Sequence, residues 1–293
     1  SVTGVQTCAL PICRKIKAVW TFFSWQIGWR ILRKKVVFPW VDDSKFVVGL
    51  GEAGLTGNIY VGLMEYESMS FLLHTLRPTD IFVDVGANAG AYTILASKVV
   101  QARSIAFEPV PETVHRLQDQ LRVNGIDSIV DVRAIGVGDK KGSLFFRTDH
   151  DTMNKVSFSR ETDNERVVDI TKLDDEISSD NYYFIKIDVE GFEYQVIEGA
   201  AGILSSGHVL AIIVELNSDS EMFGHTNEET HRKICEFGFF SVSYDPAERS
   251  LKPYNGYKKS NSNTLYIRDM ETFSRRSKAA RSNTIHTACN ISL

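Results

Sequence analysis

The stretch IFVDVGANAGAYT at residues 81–93 decides the fold class of this 293-residue chain. Its first five residues form an apolar run that is typical of a buried strand, and Gly86 and Gly90 bracket a turn before a helical sequence. A strand that leads through such a turn into a helix is the repeating unit of a doubly wound, mostly parallel α/β sheet.

The alternation continues downstream of this unit. Strand-like segments follow at 104–108, 129–133, 183–188, 209–215, 239–244 and 264–268. Helical patterns separate most of them, and the alternating residues of 143–147 and 166–170 predict a hairpin. The last two segments have no helical pattern between them, so we expect an antiparallel pair at the sheet edge. Ligands of such sheets bind at the carboxyl ends of the strands.

The rest of the chain is divided around this core. Residues 80–270 hold the predicted domain, and 39–79 form a lead-in, in which the glycine-rich run 45–62 predicts short strands and turns before a helix. The polar, basic segment 271–293 is predicted to be disordered. Residues 1–12 resemble the conceptual translation of a sequencing adapter, so we expect 1–13 not to belong to the fold.

Residues 14–38 predict an amphipathic helix, because apolar side chains recur at three- and four-residue steps. Residues 14–35 of this helix include seven basic residues, several tryptophans and no acidic residue. The uncharged stretch within the helix is too short to span a bilayer. Two interpretations stay open: packing on its own domain, or peripheral contact with a membrane surface.

The composition excludes several classes of protein. With 43% apolar and 24% charged residues, the chain is neither disordered nor collagenous nor a multi-span membrane protein. Outside 14–35 and 275–293 it carries 22 basic against 37 acidic residues, so we expect no nucleic-acid partner. Cys8 and Cys13 lie in the N-terminal segment that we do not expect to belong to the fold. The remaining Cys235 and Cys289 are too few and too far apart for a disulfide framework or a metal cluster, which favours a reducing compartment such as the cytoplasm. The oligomeric state is not predicted.

The first chemical signal is the turn itself. Asp84 ends the first strand, and Gly86 lets the backbone approach a ligand closely. The turn is not the dinucleotide fingerprint, because that motif would need glycine where Asn88 and Ala91 stand. An acidic residue before the glycine favours a ligand with a cationic or amino-acid-like group over a pyrophosphate.

The second signal is Glu108, which ends the next strand and is followed by Pro109. A carboxylate there can accept hydrogen bonds from the 2′ and 3′ hydroxyls of a ribose. Each signal alone is also typical of a helix cap or a surface charge. Together they predict a nucleoside site.

The third signal is the run KIDVEGFE, in which Lys186, Asp188 and Glu190 alternate at the end of an otherwise apolar strand. Polar groups are costly in a buried strand unless they are paired. We interpret the three as candidate catalytic residues. The alternative is an ion pair of Lys186 with a neighbouring carboxylate, with Glu193 on the surface of the next helix.

These runs resemble the FkbM family of S-adenosylmethionine-dependent methyltransferases. The likeness covers roughly residues 45–268, includes the lead-in run GLTGNIY at 54–60 with Glu65, and is most specific at K-x-D-x-E-G-x-E. It implies a class I methyltransferase fold, a Rossmann-like seven-stranded sheet with helices on both faces and its last strand antiparallel. It also implies methyl transfer, usually to oxygen, on a sugar, polysaccharide or other small-molecule acceptor.

The resemblance implies a role for each site residue. It places Asp84, Gly86 and Asn88 near the methionine part of S-adenosylmethionine and Glu108 at the ribose. Asp188 would then stand close to the transferred methyl group, as first candidate base, with Glu190 as the second. The full predicted cofactor set is Asp84, Gly86, Ala87, Asn88, Gly90, Glu108, Pro109 and Ala134.

Three alternatives stay open at this stage. We assign no metal site, although Asp188, Glu215 and Asn217 follow adjacent strands and carry oxygen ligands that suit a magnesium-assisted reaction. A nicotinamide-dependent oxidoreductase or epimerase is disfavoured by the missing glycine spacing. A catalytically inactive nucleoside-binding module is disfavoured by the presence of Asp84, Glu108 and Asp188.

Overall fold

A computed structural model describes most of the chain. The described residues are 35–49, 53–147, 155–157, 165–178, 180–216, 223–259, 262–286 and 291–293. The predicted segment 1–13 and the part of the amphipathic helix before residue 35 lie outside them. Of the predicted helix, only its last residues are described, and Val36–Pro39 form a strand instead, because they pair antiparallel with Lys45–Val48.

The central sheet of the described part has eight strands in the order β13-β12-β14-β11-β10-β3-β4-β5. The strands of this sheet are β3 (Ile81–Val85), β4 (Arg103–Phe107), β5 (Val130–Arg133), β10 (Tyr183–Ile187), β11 (Val209–Glu215), β12 (Phe240–Asp245), β13 (Ser250–Pro253) and β14 (Asn263–Ile267). The run from β11 to β5 is parallel, and β14 is antiparallel to both β11 and β12. The predicted seven strands with an antiparallel last strand are confirmed, and β13 adds an eighth at the edge.

Helices cover both faces of this sheet, as expected. In chain order they are α1 (Ala53–Val61), α2 (Tyr66–Thr75), α3 (Ala91–Ile94, continued by a π-helical turn at Leu95–Val99), α4 (Pro111–Asn124), α5 (Leu173–Glu176), α6 (Glu193–Gly199), α7 (Ala201–Ser205), α8 (Asn227–Glu236) and α9 (Met270–Lys278). Successive residues of β10 point to opposite faces: Phe184 belongs to one apolar cluster and Ile185 to the other. A strand buried on both sides reads as a continuous apolar run, which is why its position was predictable.

The described residues also form three smaller sheets, and two of them are built from residues before the C-terminal segment. The hairpin of β1 (Val36–Pro39) and β2 (Lys45–Val48) precedes α1. The predicted alternating segments pair in a four-stranded sheet of the order β6-β9-β7-β8, with β6 (Gly136–Val137), β7 (Gly142–Arg147), β8 (Lys155–Ser157) and β9 (Glu165–Thr171). Strands β7 and β9 run antiparallel, as the alternation predicted.

The glycine-rich lead-in contains a helix that the sequence analysis missed. Residues 53–61 form α1, although the glycines there predicted strands and turns. Leu55 and Ile59 stand four residues apart and are both almost fully buried in the core. One apolar face therefore outweighs the weak helical propensity of glycine.

The prediction of disorder for 271–293 was wrong for its described residues. Asp269 caps α9 by accepting hydrogen bonds from the backbone N–H groups of residues 271 and 272. Phe273 is buried and stacks on Phe71 of α2, with ring centroids 5.5 Å apart. Short strands β15 (Thr284–Ile285) and β16 (Ile291–Ser292) then pair with each other. The polar composition concealed three apolar anchors, Phe273, Ile285 and Leu293, which are all buried in the same core cluster.

Among the described residues, none of the helices combines the length and the apolar character that crossing a bilayer requires.

Candidate active site

The turn after β3 is wedged between two neighbouring strands. Gly86 has a φ of +81°, and a Cβ at this position would lie 1.9 Å from the carbonyl oxygen of Asp188. The N–H groups of Gly86 and Ala87 both donate to the carbonyl oxygen of Phe107 at 3.0 Å. Glycine is required here because both the φ angle and the close approach exclude a side chain.

Asp84 lies behind this turn. It is almost fully buried and accepts a hydrogen bond from Thr93 Oγ1 at 2.6 Å. Burial raises the pKa of Asp84 to about 6, an effect that the Thr93 hydroxyl only partly offsets. The contact ties α3 to the end of β3, so Asp84 orders the loop, while its side chain is not part of the pocket wall.

Glu108 is held from two sides. Its Oε2 accepts from the N–H of Asn88 and its Oε1 from the N–H of Val110, both at 3.0 Å. Burial raises the pKa of Glu108 to about 7. Each carboxylate oxygen has two lone pairs, so each keeps one for a further donor. Asn88 has a φ of +48°, a conformation that asparagine tolerates better than most residues.

A pocket opens at the carboxyl ends of β3, β4 and β10. Its wall includes four of the predicted cofactor residues, Gly86, Asn88, Glu108 and Pro109, and two of the predicted catalytic residues, Asp188 and Glu190. The remaining wall is largely apolar and includes Val85, Phe107, Val137, Leu144, Ile170, Val189 and Phe192. The strand-end rule thus located the pocket correctly.

Besides Asp84, three other predicted cofactor residues lie outside this wall. Ala87 packs in an apolar cluster with Leu117, and a Cβ on Gly90 would lie 2.4 Å from the Cδ1 atom of that leucine. Ala134 is exposed, and the pocket is lined instead by Gly136 and Val137. Because the loop after β5 folds directly into β6, its pocket-facing residues come two positions later than the sequence suggested.

The lysine of the third signal is paired. Lys186 Nζ donates to Asp188 Oδ2 at 2.9 Å, and only 2% of the lysine side chain is exposed. Its ammonium also lies 5.1 Å from the centroid of the Tyr92 ring. Burial lowers the pKa of Lys186, but the neighbouring carboxylates of Asp188, Glu65 and Glu215 outweigh it and raise that pKa above its usual value. The ion pair that the sequence analysis held as an alternative is therefore present.

Two further carboxylates approach this pair. Oxygen atoms of Glu65, Asp188 and Glu215 all lie within 4.8 Å of one another, and the three side chains are half-buried. Burial first, and then the charge of Asp188, raise the pKa of Glu215 to about 8. The magnesium alternative joined Asp188 to Glu215 and Asn217. The first two do meet, but Asn217 lies outside the described residues, and Lys186 already supplies a cation here.

Glu193 differs from its expected place on a helix surface. It is fully buried, and its Oε1 accepts from the N–H groups of Val189 and Gly191 at 3.3 and 3.1 Å. Burial raises the pKa of Glu193 to about 7. It fixes the loop that carries Glu190, whose φ is +51°. The spacing K-x-D-x-E-G-x-E could have indicated this, since a carboxylate two residues after a glycine can bond back to the turn.

The sequence profile of the methyltransferase FkbM domain matches residues 84–241, which is more than half of the chain. The chain belongs to the FkbM methyltransferase family. S-adenosylmethionine is the methyl donor of this family. The nicotinamide alternative is therefore not retained.

Individual proteins are also similar to this chain. The hexuronic acid methyltransferase AglP of Haloferax volcanii is 29% identical over 161 residues, which span 53% of this chain and 63% of AglP. The precorrin-6y C5,15-methyltransferase of Geobacter metallireducens has a TM-score of 0.38 at 13% identity, covering 70% of this chain and 85% of the other. An RNA methyltransferase of Salinibacter ruber, solved with S-adenosyl-L-homocysteine, has a TM-score of 0.28 at 15% identity. The match covers 50% of this chain and 71% of the other.

The pocket at the carboxyl ends of β3, β4 and β10 has a lining that suits S-adenosylmethionine. The free lone pairs of Glu108 suit the ribose hydroxyls, and the apolar wall formed by Phe107, Val137 and Ile170 suits a base. Gly86 leaves the turn without a side chain where the backbone lines the pocket. Asp188 belongs to the wall of the same pocket, and its carboxylate lies within 4.8 Å of the carboxylates of Glu65 and Glu215.

Proposed function

We propose that this FkbM methyltransferase transfers the methyl group to a hydroxyl oxygen of a sugar, and that a hexuronic acid unit of a glycan is the acceptor class to test first. The observation that carries the proposal is the group of three carboxylates beside a buried ammonium. One of these carboxylates, that of Asp188, belongs to the wall of the pocket. The similarity to AglP, a hexuronic acid methyltransferase, supports the choice of a hexuronic acid.

The charge of this group favours a hydroxyl over a carboxylate as the methylated atom. A hexuronic acid offers both kinds of oxygen. An acceptor carboxylate would meet Glu65, Asp188 and Glu215 at short range and be repelled by their charge. A hydroxyl can instead donate a hydrogen bond to any of them, and it must lose its proton during the transfer.

In this proposal Glu108 accepts hydrogen bonds from the ribose hydroxyls of the cofactor. Pro109 and Asn88 line the pocket beside it, and Gly86 lets the backbone approach the ligand closely. Asp84 orders the loop through Thr93. S-adenosylmethionine supplies a methyl group that is already activated, so the protein mainly has to orient the two reactants. Lys186 and Glu190 support Asp188 at the transfer end.

The test is methyl transfer to a panel of acceptors. Purified protein is incubated with methyl-labelled S-adenosylmethionine and the methyl glycosides of glucuronic acid, galacturonic acid, glucose and galactose, with an RNA transcript as the counter-example. We expect label on the uronic acids, and we expect it to survive mild alkali, because a methyl ether is stable where a methyl ester is cleaved.

Three outcomes would contradict the proposal. Alkali-labile label would mean that the carboxyl group is methylated, and label on RNA would contradict the expectation from the acidic body of the chain. Binding of S-adenosylhomocysteine in a calorimeter without transfer to any sugar would leave the family assignment standing and show that the acceptor class is wrong.

A further inference from the structure

Asp188 is not the side chain that is free to take the acceptor proton. One of its oxygens accepts from Lys186, whose ammonium is almost fully buried. Protonating Asp188 would leave that ammonium without its nearest counter-charge in a buried place, which is strongly unfavourable. Asp188 and Lys186 are therefore a structural pair whose charges compensate each other.

Glu65 comes to the site from outside the FkbM match at 84–241. It immediately precedes α2, and its Oε2 accepts hydrogen bonds from the hydroxyl of Tyr92 and from Asn263 Nδ2. Asn263 stands opposite Glu215 in the pairing of β14 with β11. Both donors to Glu65 are neutral, so they fix the direction of its carboxylate without cancelling its charge.

Glu215 is placed differently. It ends β11 and is half-buried, and within the described ranges its carboxylate has neither a hydrogen-bond donor nor an ion-pair partner. The charged groups that face it are Glu65 before α2, Lys186 and Asp188 on and after β10, and Glu190 in the following loop. Like charges this close favour the uptake of one proton by one member of the group.

We propose that Glu215 takes the proton of the acceptor hydroxyl and that Glu65 accepts a hydrogen bond from the same acceptor, while Lys186 and Asp188 only position the group. This inference rests on the proposed function. In the transfer the O–H bond breaks and the proton passes to a carboxylate oxygen of Glu215. The hydroxyl oxygen bonds to the methyl carbon, and the carbon–sulfur bond breaks with its electron pair remaining on sulfur. No oxidant or reductant is needed.

The burial of Glu215 suits this task. A base works best when its pKa is near the working pH, and the pKa of Glu215 is raised to about 8 by its surroundings. Below that value a growing fraction of Glu215 is protonated and cannot accept. Turnover should therefore rise with pH and level off above about 8.

The experiment compares four variants on whichever panel sugar the wild type methylates, or on the labelled small-molecule and glycan fraction of a cell extract. Glu215→Gln should lower turnover about 10²–10⁴-fold and remove the rise with pH. Glu65→Gln should mainly raise KM for the acceptor, by about tenfold or more. Glu215→Asp keeps the carboxylate and should keep the pH profile. Glu236→Gln changes an exposed glutamate of α8 and should match the wild type.

Folding is checked separately by thermal melting and by calorimetry with S-adenosylhomocysteine, which every variant should bind as the wild type does. Normal turnover and an unchanged pH profile in Glu215→Gln would overturn the inference. So would loss of wild-type activity with a chelator and its recovery with Mg²⁺, since the carboxylates would then act through a cation. A wild type that labels neither panel nor extract would instead refute the proposed function.

Discussion

The site has two ends that are built in different ways. We call the part formed by Gly86, Asn88 and Glu108 the cofactor end, and the group of Glu65, Lys186, Asp188 and Glu215 the acceptor end. At the cofactor end, backbone N–H groups and short-range turns fix the geometry: Glu108 is held by the N–H groups of residues 88 and 110. At the acceptor end, side chains hold one another over long sequence distances, as when Asn263 donates to Glu65, 198 residues away. The first end is thus a local motif, whereas the second exists only once the whole sheet has assembled.

The difference has an energetic counterpart. The N–H groups of Gly86 and Ala87 donate to a backbone carbonyl whatever the pH, so the geometry of this turn at the cofactor end depends mainly on steric fit. The acceptor end gathers three carboxylates around one ammonium, and its stability depends on which of them is charged. We therefore expect substitutions at the cofactor end to act through steric fit, and substitutions at the acceptor end to act through charge.

The largest effect is expected where the two ends touch. Gly86→Ala would place a Cβ 1.9 Å from the carbonyl oxygen of Asp188, at a φ of +81°. Left-handed strain and the backbone clash together should cost about 3–5 kcal/mol and abolish binding of S-adenosylhomocysteine. The control is Gly125→Ala, because Gly125 also has a positive φ, +64°, but no atom lies within 4 Å of the place that the alanine methyl group would take.

The control should lose only about 1–2 kcal/mol, measured by denaturant unfolding, and should bind normally. Equal losses in the two variants would show that the turn can relax away from Asp188, and the contact between the two ends would then have no special importance.

The charge-dependent end is probed by Lys186→Met. Removing the ammonium leaves Asp188 and its neighbours with uncompensated charge, which should cost about 3–5 kcal/mol of unfolding free energy at pH 8. The loss should shrink at lower pH, as the carboxyl groups bind protons instead. Affinity for S-adenosylhomocysteine should change little in protein that remains folded.

Lys141→Met is the matched control, because that lysine is 69% exposed and pairs with Asp175 on the surface. We expect it to cost less than about 1 kcal/mol. A large loss of cofactor affinity in Lys186→Met would contradict the separation of the two ends.

This division explains what the sequence could predict. Gly86, Asn88 and Glu108 follow adjacent parallel strands, so strand-end reasoning placed them in one pocket without knowledge of the rest of the fold. The same rule predicted Ala134, whereas the residue that lines the pocket is Gly136, two positions later. The reason is that the loop after β5 leads at once into β6.

The acceptor end could not be predicted in this way. Glu65 was noted only as part of a lead-in run, because its partners Tyr92 and Asn263 are brought to it by the packing of α2 against the sheet. The helix α1 was missed because its glycines obscured the pair Leu55 and Ile59. The polar C-terminal segment was predicted to be disordered because its buried apolar residues, Phe273, Ile285 and Leu293, are few and widely spaced.

A smaller effect is expected from Glu108→Ala, which acts on the cofactor end alone. Loss of the charged acceptor should weaken S-adenosylmethionine and S-adenosylhomocysteine by similar amounts, about 1.5–3 kcal/mol or ten- to over a hundredfold, because both ligands carry the ribose. Calorimetry with both ligands measures this. Glu248→Ala, at an exposed position, should leave both affinities unchanged. Unequal losses would mean that Glu108 does not bind the shared part of the two ligands.

The smallest effect concerns the helix that carries Glu65 to the acceptor end. His74 near the end of α2 is fully buried, and its Nδ1 lies 2.5 Å from the hydroxyl of Tyr244 on β12. Burial first, and then nearby arginines, lower the pKa of His74 to about 4. An unfolded histidine binds a proton near pH 6.5, so between these values the unfolded chain holds the extra proton, and stability falls as the pH falls.

From pH 7 to pH 5 this histidine should remove about 2 kcal/mol of unfolding free energy. The buried carboxyl groups act with the opposite sign, because their pKa values are raised: Asp84, Glu108, Glu193 and Glu215. The informative quantity is therefore the difference between variants. His74→Leu should lose about 2 kcal/mol less than the wild type between the two pH values, while His115→Leu, at an exposed position on α4, should follow the wild type. Parallel pH curves for all three proteins would mean that α2, the helix that follows Glu65, is not held to β12 through a neutral histidine.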